Sequence, residues 1–337
     1  MATENEYLAV ISRVFASQDE NILIGIGDDG AVVATSAQSI VTTDMAVEGV
    51  HFRLDWSSPF DIGRKIAAAN RKKIEEHAMN TVVDPLNVPS LQGRVSAEEW
   101  EWRVNLAACY RLAAHFRMTD LIYTHISARV PGEPHHFLIN AFGLLWDEIT
   151  ASNLVKVTSE GEIVDDPTGL GINAAGYVIH SAVHRGRPEI NCVIHTHTAA
   201  GVGVSAQEHG LLPISQHAMR LTGNVGYHDY EGVALDLDEQ QRLIADLGTR
   251  MTMILCNHGL LTCGTTVRQA FDYMYYLERA CQAQISALAG GSKLRMPPQE
   301  VAEKVARQFE RPGYQEKKGE WRALLRMLDR TQPSYKQ

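Results

Sequence analysis

The run Cys192-Val193-Ile194-His195-Thr196-His197-Thr198 sets two imidazoles two residues apart in an apolar, β-branched stretch. Such a stretch reads as a buried strand. Alternate side chains of a strand share a face, so His195 and His197 point the same way. Two neutral imidazoles on one rigid element are half of a metal site. A catalytic zinc takes three protein ligands and keeps one position open. The plain alternative is a pair of hydrogen-bonded histidines with no ion. His258 is a candidate third ligand. It follows the apolar run Met251–Leu255, and Gly259 after it permits close approach. On spacing alone His180, His184 and His217 would serve as well.

These residues need elements to position them. Ser96 is a helix N-cap with Glu99 at the capping-box position, opening a helix over Glu98–Phe116 with Trp102, Leu106, Cys109, Leu112 and Ala113 along one stripe. Leu121–Arg129 and His136–Asn140 read as strands around the turn Pro131-Gly132-Glu133-Pro134. Thr150–Leu154 reads as a helical turn, and Lys156–Val157 with Ile163–Val164 as a hairpin. Val178–Arg187 is an amphipathic helix, and a further helix follows the histidine strand near Thr198–Ala206. Leu221–Val225 and Tyr227–Tyr230 are short strands or loop, and Asp238–Leu247 is helical. Met251–Leu255 pairs with Gly259–Thr262, and a long helix covers Val267–Ala287. Helices near Pro298–Phe309 and Glu320–Leu328 lie in a polar tail. Short hairpin-linked strands flanked by helices predict a layered α/β/α fold, and no repeat of fixed period is present.

Composition narrows the function classes. The 337 residues suffice for two domains, with 45% hydrophobic and 21% charged residues, ordinary for a globular protein. A net charge of -9 argues against a general nucleic-acid surface and an anionic membrane surface. No apolar run approaches the roughly 20 residues of a membrane helix. The acidic N-terminus lacks the order of a secretory signal. Five scattered cysteines without a Cys-x-x-Cys fit a reducing, cytoplasmic setting. Four segments are expected: 1–70, a linker over 71–95 broken by Pro85 and Pro89, a main domain over 96–290, and a C-terminal helical tail over 291–337.

The first segment carries Gly25-Ile26-Gly27-Asp28-Asp29, then Thr42-Thr43-Asp44-Met45-Ala46-Val47-Glu48-Gly49-Val50-His51-Phe52, then Asp61-Ile62-Gly63-Arg64-Lys65. These closely resemble the N-terminal stretch of thiamine-monophosphate kinase. The resemblance implies that Asp28, Asp29 and Asp44 match magnesium-holding positions, as hard oxygen ligands suit that ion. It stops near residue 70, where the other half of such a site should begin. The expectation is an incomplete α+β kinase fragment joined to an unrelated domain by fusion or a shifted start. Met79 is a candidate ancestral start, and residual magnesium and ATP binding is a remote alternative.

Residues of about 97–288 closely resemble the class II aldolase/adducin family. The motifs are Val104-Asn105-Leu106-Ala107-Ala108, Thr124-His125-Ile126-Ser127-Ala128-Arg129, Phe137-Leu138-Ile139-Asn140-Ala141-Phe142-Gly143-Leu144, Arg187 through Thr198, and Asn257-His258-Gly259-Leu260-Leu261-Thr262-Cys263-Gly264. The long helix with Leu277-Glu278 completes the pattern. The resemblance implies a three-layer α/β/α domain with a mostly antiparallel central sheet and a zinc, or another divalent transition metal, on His195, His197 and His258. It also implies lyase or isomerase chemistry through an enediolate on a small hydroxy-carbonyl substrate, and rings of four with the pocket at a subunit boundary. Thr124, His125, Asn140, Gly143 and Gly176 match positions at the substrate end of the pocket. The family's aldolases carry a glutamate base in Ser-Ser-Glu, where this chain has Ala174-Ala175-Gly176. That departure resembles the adducin branch, for which a non-catalytic oligomeric module with a structural metal is the alternative. Candidate replacement bases lie at His217, Tyr230 and Glu231, with His228 nearby.

Overall fold

The computed structural model describes residues 31–34, 39–42, 84–232, 237–311 and 319–337. The chain divides into two compact units, Met1–Val82 and Val83–Gln337, so the boundary falls inside the expected linker. In the first unit β1 (Ala31–Ala34) and β2 (Ser39–Thr42) form an antiparallel pair. The acidic positions Asp28, Asp29 and Asp44 and the candidate start Met79 lie outside the described residues.

The second unit begins with irregular chain packed against the domain, which corrects the reading of all of 71–95 as linker. Leu91 is buried and its N–H donates to Ser152 Oγ at 3.1 Å. Next come α1 (Ala97–His115), β3 (His125–Val130), β4 (Glu133–Ile139), β5 (Val155–Thr158), β6 (Ile163–Asp165), α2 (Ala174–Gly186), β7 (Cys192–Thr196) and α3 (Ala199–Ser205). The order continues with α4 (Gln216–Arg220), β8 (Val225–His228), α5 (Leu237–Leu247), β9 (Thr252–Leu255), β10 (Gly259–Gly264), α6 (Val267–Ala289), α7 (Gln299–Phe309) and α8 (Glu320–Thr331). Eight strands form one sheet in the order β6-β5-β4-β3-β7-β10-β9-β8, antiparallel at every step except β8 against β9.

The period of two sorts each strand between the two layers that cover it. Ile126, Ala128, Cys192, Ile194, Ile254 and Leu260 face a large apolar core shared with α1 and α6. Val193, Met253, Leu255, Leu261 and Cys263 face a smaller core capped by Ile179 and Val183 of α2 and by Leu243 and Leu247 of α5. The expected three-layer α/β/α domain is therefore present.

Three local expectations fail for physical reasons. The strand read over Leu121–Arg129 begins only at His125. Leu121 and Thr124 have φ of 48° and 65°, and Asp120 bridges to Tyr123 in a tight bend. Thr150–Leu154 is not helical, because side chains take over the backbone partners: Thr150 N–H donates to Asn153 Oδ1 at 2.7 Å and Asn153 N–H to Thr150 Oγ1 at 3.3 Å. At the start of α1, Ser96 Oγ accepts from Glu99 N–H at 3.0 Å. The Glu99 carboxylate does not return the bond. It holds Arg103 Nε at 2.8 Å and Lys156 Nζ at 3.2 Å instead. The C-terminal tail is part of the domain: Trp321, Leu328 and Tyr335 join the large core, and the Tyr335 and Gln337 carbonyls accept from Ala151 and Ser152.

Candidate metal centre

Strand β7 ends at Thr196, one residue short of the second histidine. Register with β10 pairs His195 with Leu261 and Thr196 with Leu260. One further step brings Gly259 beside His197. A Cβ on Gly259 would lie 2.4 Å from the Thr196 carbonyl oxygen and 3.2 Å from His197 Cδ2, so only glycine fits. The β9–β10 turn, with Asn257 at φ 55°, then carries His258 over the end of β7. The backbone donates from Asn257 N–H to the Ser205 carbonyl at 3.1 Å and from Cys256 N–H to the His228 carbonyl at 2.8 Å.

His195, His197 and His258 meet as a nearly equilateral triangle. Their ring centroids are 4.6, 4.8 and 4.8 Å apart, and their ligating nitrogens all lie within 4.8 Å of one another. They form the one group of three or more such side chains among the described residues, so no fourth protein ligand closes it there. His195 is buried, while His197 and His258 are partly exposed.

Hydrogen bonds fix what each ring presents. His195 Nδ1 lies 3.0 Å from the Leu260 carbonyl, which can only accept, so that nitrogen carries the proton. His197 Nδ1 lies 3.1 Å from the Asp120 carboxylate, the partner that orients a ligating imidazole. His195 Nε2 is therefore bare, and His197 Nε2 stands 2.8 Å from it. A proton on His197 Nε2 or a metal ion held by both rings joins the two nitrogens. Two nitrogens on one tetrahedral zinc are separated by about 3.3 Å, which small ring rotations would supply. Burial pushes His195 well below the ordinary histidine range and His258 down to about 4, with the His197 ring adding to both, so both rings are neutral, the ligating form.

Of the other expected residues, the structure gathers some and separates others. Tyr230 is exposed, its ring 6.0 Å from that of His258, and with Glu231, Asp229 and His228 it lines a small cleft that His258 also lines. Glu231 is paired there with Arg242 Nε at 2.7 Å, and that side-chain hydrogen bond holds its carboxyl below the usual range. His217, a candidate base, sits exposed on helix α4 against Tyr276 at 5.2 Å, away from the triad. Asn140 is a cross-tie: its amide oxygen lies 2.8 Å from the buried Tyr110 hydroxyl, which also accepts from Asn140 N–H and Ile126 N–H. Thr124 turns its hydroxyl back onto the Tyr123 carbonyl, and Gly143 serves a turn with φ of 103°. His125 is buried beside the triad, 5.7 Å from the His195 ring, and lies against Gly176.

Asp120 and Ser127 were missed, and His180 and His184 were named only as candidate third ligands. Asp120 reaches His197 only because the chain bends where a strand was expected, and no local pattern signals that. His180, His184 and Ser127 form a buried hydrogen-bonded run with His125. A signal for these existed: His180 and His184 are four apart on a helix, and His125 and Ser127 two apart on a strand, spacings that put each pair on one face. Thr198 caps α3 and donates to Glu278 of α6, whose carboxyl burial raises.

The chain is similar to families and proteins already known. Residues 104–285 match the "Class II Aldolase and Adducin N-terminal domain" family, and residues 27–74 match the "AIR synthase related protein, N-terminal domain" family, as in thiamine-monophosphate kinase. A Pseudomonas aeruginosa protein named for the class 2 aldolases is 51% identical over 254 residues, 73% of this chain and 96% of its own length. Mouse alpha-adducin is 45% identical over 67% of this chain but only 33% of its own length. A crystal structure of an aldolase II superfamily protein from Pseudomonas syringae is 58% identical with a TM-score of 0.70, covering 74% of this chain and all of that one. An L-fuculose 1-phosphate aldolase from Glaciozyma antarctica is 25% identical with a TM-score of 0.64, covering 77% of this chain and all of that one. The chain belongs to the class II aldolase and adducin family. No described helix is long and apolar enough to cross a membrane.

Proposed function

We propose that the Val83–Gln337 unit is a divalent-metal enzyme, with zinc on His195, His197 and His258, that acts on a small hydroxy-carbonyl compound as a lyase or isomerase. The observation that carries it is the cluster of His195, His197 and His258, whose ligating nitrogens lie within 4.8 Å of one another, with Nδ1 of His195 held by the Leu260 carbonyl and Nδ1 of His197 by Asp120. Bound zinc would supply Lewis-acid polarisation of a substrate carbonyl, the chemistry that stabilises an enediolate. The chain's own part is to hold three neutral imidazoles on one side of the ion. The partly exposed rings of His197 and His258 leave the other side toward solvent and the Tyr230 cleft, the pattern of a catalytic rather than a closed structural site. The Glaciozyma relative's named activity, on L-fuculose 1-phosphate, supports the substrate class. A cytoplasmic homotetramer is the assembly we expect.

The test is metal analysis of the purified full chain, with His197→Ala as control, joined to proton exchange of dihydroxyacetone in D2O followed by NMR. One zinc per chain and exchange that His197→Ala abolishes is the expected result. No zinc would end the metal reading. Gly176 in place of a carboxylate, and 45% identity to alpha-adducin, favour a second reading, a non-catalytic oligomeric module with a structural metal. Zinc with a fourth protein ligand and no exchange would select it. Magnesium and ATP binding by residues 1–70 is a separate proposal that calorimetry decides.

A further inference from the structure

The chain alternates His195-Thr196-His197-Thr198 through the end of the metal strand. A strand sends alternate side chains to opposite faces, so the two threonines turn away from the triad, toward the layer that contains α6. Each finds a partner there. Thr196 Oγ1 donates to Met274 Sδ at 3.3 Å, and Thr198 Oγ1 donates to the Glu278 carboxylate. Met274 and Glu278 are both buried and stand four residues apart, on one face of α6. That face therefore grips the back of the histidine strand at two successive points.

The second point carries more weight, because of where β7 ends. Its last pair with β10 is Thr196 with Leu260, and its last pair with β3 is His195 with His125. His197 lies one residue beyond the ladder. Asp120 orients its ring, while its backbone stands outside the strand pairing. The chain on the far side of His197 is fixed by Thr198, the N-cap of α3. The Thr198 hydroxyl oxygen accepts from Gly201 N–H at 3.1 Å, and its proton goes to Glu278. Glu278 is held from its other side: Gln282 Nε2 donates to its second oxygen at 2.7 Å, and Arg279 Nη1 donates to Gln282 Oε1 at 2.9 Å. The packing leaves no slack, since a Cβ on Gly201 would lie 2.6 Å from both Thr198 Oγ1 and Leu260 Cγ. A buried carboxyl is costly to desolvate, and this one sits against the residue that follows a metal ligand.

We propose that Glu278 is a positioning residue of the metal centre, acting through Thr198 to fix the backbone of His197. The inference rests on the metal reading above and concerns how tightly the ion is held. Glu278 sets where the His197 backbone stands, and Asp120 sets how the ring turns. Without the link to Glu278, His197 would move with a loosened helix start, and the ion would have to order the triad itself.

The experiment is zinc affinity by chelator competition on the purified full chain, with the urea midpoint of the zinc-free chain measured for every variant. Thr198→Val removes the hydroxyl with little change of shape, and Glu278→Leu removes the carboxylate. Each should weaken zinc about 10–100-fold. The double variant should weaken it no further than the stronger single one, because both remove the same link. Thr198→Ser keeps the hydroxyl and Glu278→Gln keeps an acceptor oxygen, so both should restore most of the affinity. Leu277→Val, buried on the same helix, is the control for packing alone: it should lower the midpoint and leave zinc affinity unchanged. Native affinity in Glu278→Leu overturns the proposal. So does equal weakening in Leu277→Val, since the effect would then follow stability and not the link to Thr198. Equal affinity in Thr198→Val and Thr198→Ser overturns it too, even where Glu278→Leu does not fold. Absence of zinc from the native chain overturns the metal reading and the positioning role together, whereas zinc on the native chain with native affinity in Glu278→Leu removes the role alone.

Discussion

Two faces of one sheet, drawn from the same strands, do opposite things. On one face of β3 and β7 lie Ile126, Ala128, Cys192 and Ile194, packed under α1 and α6 in the large core. On the other face lie His125, Ser127 and His195, hydrogen-bonded under α2 or turned to the triad. The apolar face needs only volume and water exclusion. The polar face needs each buried nitrogen to have an assigned role, since an unpaired buried polar group is costly. The apolar face sets the stability of the domain. The polar face sets hydrogen-bond direction.

The comparison can be broken first on the structural face. Glu99→Ala would leave Arg103, fully buried on α1, without its carboxylate, and should cost about 3–5 kcal/mol in urea unfolding with no change in zinc content. A loss below about 1 kcal/mol would show that the Leu154 carbonyl, 3.0 Å from Arg103 Nη1, suffices by itself.

On the polar face the largest effect is with pH. Burial, with the Arg129 charge beside it, pushes His184 from 6.5 down to about 3. The unfolded chain then takes up the proton first. The stability is therefore intact above pH 6.5 and is lost as pH falls from there toward 3. At pH 5 His184 alone should cost about 2 kcal/mol. His125 and His180 are shifted the same way, mainly by burial. A urea midpoint of the zinc-free chain that stays flat between pH 7 and pH 5 would refute neutral, buried histidines.

Asp120→Ala separates the faces more finely. It should weaken zinc about 10–100-fold in a chelator competition, while the unfolding midpoint moves little, because Asp120 orients His197 at the mouth of the site. A large stability loss with unchanged zinc affinity would reverse its role. The smallest effect belongs to Ser96→Ala, which removes the cap of α1 and should cost about 1 kcal/mol with zinc affinity untouched.

Much of this was legible in local pattern. The strand periodicity of Cys192–Thr196 put His195 on the face opposite Ile194, and the turn glycine after His258 marked a close approach. The elements themselves, from the capped helix α1 to the hairpin of β5 and β6, follow from propensity and capping. Local pattern failed where a side chain or a bend outcompeted it: at Leu121–Thr124, at Thr150–Leu154, and at Glu99, which serves Arg103 and Lys156 rather than its own helix end.

By itself the sequence determined the class of fold, two histidines two residues apart where one strand runs out, the likeness that singled out His258, and the absence of a carboxylate at Gly176. Tertiary structure decided which histidine does what. His125 gained the room for its ring from a missing Cβ on a different element, His197 its orientation from Asp120 77 residues away, and His217 lies on a helix that packs away from the triad. The physical reason is that hydrogen-bond direction is set at the end of a connected run. A tautomer at His125 depends on the Ile190 carbonyl, and only packing joins the two.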